Sequence, residues 1–396
     1  MKIAGLNSVF YGSTGKIMRQ IAESGKDRHE FLLCAPNGRH NPVAPDDNCF
    51  VFGGRWDEDI HLAMTRFTGL HGCFSKSATR SLIKRLEEFD PDVLHMHNLH
   101  SSYVNLEMLF DYIKQSKVKT VWTLHDCWAF TGHCPHYLYA GCDKWLTECG
   151  KCPIYKSYPN SYVDTSRLLF AKKQEWFCGV ENMTIVTPSE WLAGEIKRSF
   201  LGDYPVRVIN NGIDLGVFKP CGDFKQKHGI EDKKMVLGVS FNWNERKGID
   251  VFVRLAQMLG DEYKVVLVGV KDDVKEKLPK QILAIGRTQS QQELAEIYSA
   301  ADVFVNATRE DNFPTVNIEA IACGTPVVTF DVGGSKEMLD DTCGIAVKLN
   351  DIDGMYNSIV EVCGGNGLTA DACQKRAGLY NMYDRFSEYI RLYEEV

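Results

Sequence analysis

A chain of 396 residues is too long for one ordinary hydrophobic core and suits two domains. Its formal net charge of −7 excludes a dedicated nucleic-acid binder, which would carry a basic field, and no apolar run reaches the ~18 residues of a membrane-spanning helix. No signal peptide precedes the first strand pattern, so the expected compartment is the cytoplasm, where the 14 cysteines are expected to stay reduced.

Strand patterns at 1–7 and 29–35 flank the loop Tyr11-Gly12-Ser13-Thr14-Gly15-Lys16. Gly12 and Gly15 would let the backbone approach a phosphate, with the positive end of a helix behind them. Ile17 stands where a Walker A loop needs a hydroxyl, and the G-x-G-x-x-G spacing is absent, so an ordinary strand-to-helix turn is the alternative. Residues 61–85 mix Met64, Phe67 and Phe74 with Lys76, Arg80 and Lys84, which reads as a surface helix or as a segment lying on an anionic bilayer. Helical patterns at 75–89, 103–116, 164–177 and 189–200 then alternate with strand patterns at 93–97, 120–125, 184–187 and 206–210. Such alternation predicts an α/β fold with a parallel sheet covered on both faces.

His95, His97, His100 and His125 fall at the carboxyl ends of two of these strands, where open α/β sheets gather ligands. His95 and His97 share one strand face without an evident carboxylate partner, so a polar lining is expected rather than a metal site. A cysteine-rich insert follows at 127–153. Cys149-Gly150-Lys151-Cys152 has zinc-knuckle spacing, while Cys134 and Cys142 are spaced more widely. A structural Zn²⁺ held by Cys134, Cys142, Cys149 and Cys152 is one expectation; a set of reduced buried thiols is the other.

Asn210-Asn211-Gly212 and Pro220 mark a connector, which divides the chain into a first domain at 1–210 and a second at 211–381. The second half repeats the alternation, with strand patterns at 235–240, 264–269, 302–307 and 327–330 and a helical pattern at 291–301. A last helical pattern, about 382–394, carries Phe386, Tyr389, Ile390 and Tyr393.

Two segments of the second half carry chemistry. In Asn242-Trp243-Asn244-Glu245-Arg246-Lys247-Gly248, Arg246 and Lys247 stand at a helix start, where cations oppose the helix dipole and call for a compensating anion. In Glu310-Asp311-Asn312-Phe313-Pro314-Thr315 a strand leads through a tight loop into a helix, with Glu319 in its early turns and Gly324 and Pro326 as its stop. Free amides at that helix tip make an anion site, and a carboxylate beside it can accept both hydrogen bonds of a ribose diol. Together these residues are suited to a sugar nucleotide.

The second segment resembles the donor-site signature of family 4 glycosyltransferases, retaining GT-B enzymes with two Rossmann-like domains, many of them in bacterial polysaccharide biosynthesis. The Gly12–Gly15 loop, the Lys247-Gly248 pair, the Asn210–Asp214 connector and the loop at 286–289 are similar to further features of that family. The resemblance implies transfer of a sugar from a UDP- or GDP-sugar to a glycan or lipid-linked acceptor, with no catalytic metal and with the terminal helix, 382–396, returning to the first domain. It assigns Lys247 to the donor diphosphate, Asp311 to the transferred sugar, Glu319 to ribose and His125 to the sugar, with His97 on the acceptor side. Gly12, Gly15, Arg246, Asn312, Phe313, Pro314 and Thr315 complete the implied donor set. Two departures are visible. Asp311 stands where the family more often has Glu, which leaves Glu310 or Asp311 as the sugar contact. Ser240 or Phe241 stands where an upstream Arg usually assists. An epimerase acting on the donor and a non-catalytic sugar-nucleotide sensor remain as alternatives.

Overall fold

The computed structural model describes residues 1–38, 41, 44–365 and 367–396. Two compact units divide the chain: Met1–Ile209 with Phe386–Val396, and Asn210–Arg385. Both are α/β.

The N-terminal unit has seven strands: β1 (Lys2–Leu6), β2 (Glu30–Pro36), β3 (Cys49–Phe52), β4 (Val93–Met96), β5 (Lys119–Thr123), β6 (Met183–Thr187) and β7 (Val206–Val208). They form one parallel sheet in the order β3-β2-β1-β4-β5-β6-β7. The central strands are buried almost throughout, which is why they read as continuous apolar runs. The core beneath β5 is aromatic: Phe110, Trp122 and Phe177 have ring centroids 4.6–5.6 Å apart.

The helix Met382–Glu395 ends in this unit. Tyr389 and Tyr393 are buried. The Tyr393 hydroxyl and His95 Nδ1 are 2.6 Å apart, His95 Nε2 and Thr123 Oγ1 are 2.8 Å apart, and Thr123 Oγ1 donates to the Tyr389 hydroxyl at 3.3 Å. Since Thr123 donates its proton to Tyr389, it accepts from His95 Nε2, and His95 Nδ1 accepts from Tyr393. His95 is therefore neutral and structural. Burial pushes its pKa down to about 3. The expectation of an open polar lining at this residue is corrected: it is a buried tie between β4 and the last helix.

The C-terminal unit has six strands: β8 (Lys234–Val239), β9 (Tyr263–Val268), β10 (Ile282–Ile285), β11 (Val303–Asn306), β12 (Val327–Asp331) and β13 (Gly344–Lys348). The parallel order is β10-β9-β8-β11-β12-β13. In each sheet the order reverses once, between β1 and β4 and between β8 and β11. The carboxyl ends of those strand pairs are where doubly wound sheets bind ligands.

Three strands escape the sequence patterns: β3, β10 and β13. Each is a partly exposed strand of four or five residues at a sheet edge, an apolar run too short to be told from a helix segment by its pattern. Among the described residues no helix is long and apolar enough to cross a membrane.

Candidate active site

In the C-terminal unit the loops after β8 and β11 meet at the reversal point. The first makes a single 3-10 turn, Glu245–Lys247, whose start is capped by Asn244: its Oδ1 accepts from the Lys247 N–H at 3.1 Å. Gly248 follows with φ +76°, and a Cβ there would stand 2.3 Å from the Ala307 carbonyl oxygen. Only glycine lets the two loops approach so closely. The helix Ile249–Met258 then begins.

The second loop leads from β11 to the helix Thr315–Ala322, with Pro314 at the cap position and no side chain capping the start. Lys247 Nζ lies 2.8 Å from Asp311 Oδ2, and Arg246 Nε lies 3.7 Å from Glu310 Oε1. The charge compensation that the sequence assigns to a bound anion is thus supplied here by the chain's own carboxylates. Glu310 is buried and Asp311 is half-buried, so Asp311 is the more accessible of the two acids. Its carbonyl accepts from Gly334 N–H at 3.2 Å, and a Cβ on Gly333 would clash with the same oxygen at 2.0 Å.

Sequence reasoning missed Arg309. Its guanidinium grips Asp250 at 2.8 and 2.6 Å and Asn350 Oδ1 at 2.7 Å, and its N–H donates to the Arg246 carbonyl at 2.9 Å. This bidentate clamp locks the two loops together and holds the Asp250 carboxyl below its ordinary range. Glu319 sits one turn into its helix and accepts from the Tyr298 hydroxyl at 3.1 Å. Asn312 and Phe313 are buried, and the Phe313 ring packs 6.0 Å from that of Tyr380. Thr315 is half-buried at the helix tip. The segment 333–337 forms turns. Within the loop at 286–289, Arg287 lies 5.9 Å from the ring of Phe241, which is 78% exposed.

In the N-terminal unit, Gly12 opens the helix Gly12–Gly25 with φ +73° and open space where a Cβ would be, which suits close approach by a ligand. Gly15 has an internal reason to be glycine: a Cβ would meet the Phe10 carbonyl carbon at 2.5 Å. Asn7 holds this loop from below, donating to Val9 O and Thr14 Oγ1 at 2.9 and 3.2 Å and accepting from Asn98 N–H at 3.3 Å.

Past β4 and β5, His97, His100, His125 and Asp126 line one small pocket. His97 Nδ1 and His125 Nε2 share a hydrogen bond of 3.1 Å. Burial pushes His125 down to about 4 and His97 well below its usual range, so both are neutral at pH 7. A carboxylate partner, unseen in the sequence, is present: Asp126 Oδ2 lies 2.8 Å from His100 Nε2. Burial pushes Asp126 up, but His100 and the Trp128 N–H more than offset it and hold the acid down to about 2.

Cys134, Cys142, Cys149 and Cys152 line another cavity of this unit and are all free thiols. Among the described residues no group of three or more His, Cys, Asp or Glu side chains is poised to hold a metal ion.

Comparison with known proteins agrees with this arrangement. The family described as "Glycosyltransferase Family 4" matches residues 15–217, half of the chain, and "Glycosyl transferases group 1" matches residues 233–364. A putative colanic acid biosynthesis glycosyl transferase, WcaC of Escherichia coli, is 27% identical over 318 residues, covering 77% of each chain. An Escherichia coli UDP-Gal:alpha-D-GlcNAc-diphosphoundecaprenol alpha-1,3-galactosyltransferase is 26% identical over 186 residues, 42% of this chain and 47% of its own. The solved structure of Anabaena Alr3699/HepE in complex with UDP superposes over 100% of both chains with a TM-score of 0.67 at 14% identity, a likeness of fold. The chain is a glycosyltransferase of the GT-B fold and belongs to family 4.

Proposed function

We propose that this enzyme transfers a sugar, with retention at the anomeric carbon, from a nucleoside diphosphate sugar to a glycan or lipid-linked glycan in surface polysaccharide assembly. The observation that carries the reading is the Lys247–Asp311 contact at the β8/β11 reversal, beside an uncapped helix start and Glu319. A cation, a carboxylate and a helix tip at one strand-end site match the three parts of such a donor: diphosphate, sugar hydroxyls and ribose.

On donor binding Lys247 exchanges Asp311 for the diphosphate, and Asp311 is released to the sugar hydroxyls. Glu319 takes the ribose diol. Arg309, already engaged with Asp250, keeps both loops in place. Arg287 and Phe241 offer a stacking face to the base. The anomeric C–O bond to phosphate breaks, and the acceptor oxygen bonds to the same face of that carbon. The acceptor proton passes to the departing phosphate oxygen. No protein nucleophile is required, in contrast to retaining glycosidases. Lys247 and the helix tip stabilise charge growing on the leaving group. His125, held neutral beside His97, donates or accepts a hydrogen bond at the sugar without adding charge.

The acceptor class is supported by the relatives, one named for colanic acid biosynthesis and one for a diphosphoundecaprenol acceptor. Trp56, Ile60 and Phe67, at helical spacing along Asp57–Thr68 and its start, are 62%, 60% and 68% exposed. That apolar face supports peripheral contact with a membrane carrying such an acceptor.

Incubation of the pure protein with UDP- and GDP-sugars tests the reading. Slow donor hydrolysis, converted to transfer when a lipid-linked glycan is added, is expected. An isomerised donor would indicate an epimerase, and donor bound but unchanged a sensor.

A further inference from the structure

We propose that Cys134, Cys142, Cys149 and Cys152 form a structural Zn²⁺ tetrathiolate whose buried counter-cation is Lys173. The site fastens the insert to the helix Ser166–Phe177 and so supports the loop that carries His125 and Asp126.

The first observation is the cluster itself. All four cysteines line one cavity, and the charge of each thiol is felt by the other three. Cysteines scattered through a core would not line a single cavity. The turn Cys149-Gly150-Lys151-Cys152 is built as a knuckle. Lys151 has φ +47°, Lys144 Nζ binds the Gly150 and Lys151 carbonyls at 3.0 and 2.9 Å, and Cys149 Sγ already accepts a backbone bond from Gly132 N–H at 3.2 Å. Backbone N–H groups aimed at sulfur stabilise a thiolate more than a thiol.

The second observation is Lys173. Its side chain is completely buried. Its Nζ donates to the Trp128 and Thr131 carbonyls at 2.7 and 3.0 Å and lies 3.4 Å from the Trp128 ring centroid. These partners are neutral, and the one carboxylate whose charge reaches Lys173, Asp126, is shared with His100 and the Trp128 N–H. A buried ammonium gains from a further negative charge near it. Zn²⁺ bound by four thiolates would be a doubly negative complex, and the Thr131–Cys134 turn, closed by a bond from Thr131 Oγ1 to the Cys134 carbonyl at 2.6 Å, would link its ligand Cys134 to the carbonyl that Lys173 binds.

The third observation is need. Among the described residues, the only regular element in 131–165 is the 3-10 turn Lys144–Leu146. A segment of this length without helices or strands gains order from a cross-link. On binding, the four thiols lose their protons to solvent and turn inward between staggered rotamers to the ~2.3 Å of a Zn–S bond. Lys173 then joins the metal site to Trp128 and Thr131, and Trp128 N–H holds Asp126 Oδ1 at 2.9 Å, one residue from His125. The insert is thereby a brace for the N-terminal pocket.

The test is metal analysis of the full-length protein purified without added zinc or chelator. About one zinc per chain is expected, with cobalt exchange giving the thiolate charge-transfer and tetrahedral ligand-field bands of a four-sulfur site. Titration of the native protein with a mercurial should release the zinc as four thiols react. C149S combined with C152S should abolish binding, while C178S, outside the cluster, should leave it intact. K173M should keep the metal but release it to a chelator about tenfold more readily. UDP binding, assigned to the other unit, should persist in every folded variant, so loss of zinc and loss of the donor site are read separately. Metal-free protein with four titratable thiols, a disulfide within the cluster, or zinc that survives C149S with C152S would each overturn the proposal.

Discussion

The two units solve the same problem, placing polar groups at the ends of buried strands, in opposite ways. The N-terminal unit holds most of its histidines neutral, with Asp126 as the ionised exception among them. Of the 11 histidines, all but His228 belong to it, and His61, His71, His95, His125 and His133 are pushed down by burial to about 3, 2, 3, 4 and 4. The C-terminal unit keeps its groups charged and paired: Lys247 with Asp311, Arg246 with Glu310, Arg309 with Asp250. A neutral lining can contact sugar hydroxyls without competing for protons. A charged lining is prepared for an anion, because Lys247 can exchange its internal carboxylate for a phosphate.

Acid should separate the units most strongly. A histidine whose folded pKa lies below its unfolded value leaves stability intact above about pH 6.5. That stability is lost as pH falls toward the folded value, because the unfolded chain binds the proton first. Each tenfold loss of proton affinity corresponds to about 1.4 kcal/mol, and six such histidines, His97 included, lie in one unit. Calorimetry between pH 7 and 4 should show a transition of the N-terminal unit moving steeply down while that of the C-terminal unit changes little; parallel movement would break the contrast. Next in size is Lys247→Ala, expected to lower kcat at least ~100-fold, about 3 kcal/mol, by removing charge from the leaving group. His95→Ala should destabilise the N-terminal unit by roughly 3 kcal/mol, through two lost hydrogen bonds and a cavity, with UDP affinity unchanged. Glu319→Ala should weaken donor binding by about 10- to 100-fold, read by titration calorimetry, with the acid transition unaltered. The smallest effect belongs to Trp56→Ser with Phe67→Ser, which should reduce flotation with anionic liposomes at low salt by a few-fold; equal flotation would remove the membrane contact.

The parts of the molecule legible in the sequence are those where chemistry is local. β8, β11 and β12 are buried on both faces and show as apolar runs, and the 310–319 segment keeps its acid, its helix start and its second acid within one strand–loop–helix unit. β3, β10 and β13 were hidden because runs of four or five residues are too short to be told from helix segments. Arg309 was hidden for a different reason: its partner Asp250 lies 59 positions away, and only the β8/β11 pairing brings them together. The same holds for His95, whose partner Tyr393 is 298 positions distant. Arg246 and Lys247 do place cations together at that turn, but Glu310 and Asp311, which answer them, lie 64 positions along the chain and meet them only in the fold.

Whether the donor is gripped at the β8/β11 reversal is decided by a crystal structure of the full chain with UDP. The diphosphate is expected on Lys247 and the amides at Thr315, the ribose diol on Glu319, and Asp311 parted from Lys247. Nucleotide bound elsewhere, with the Lys247–Asp311 pair still closed and Glu319 uncontacted, would rule this site out.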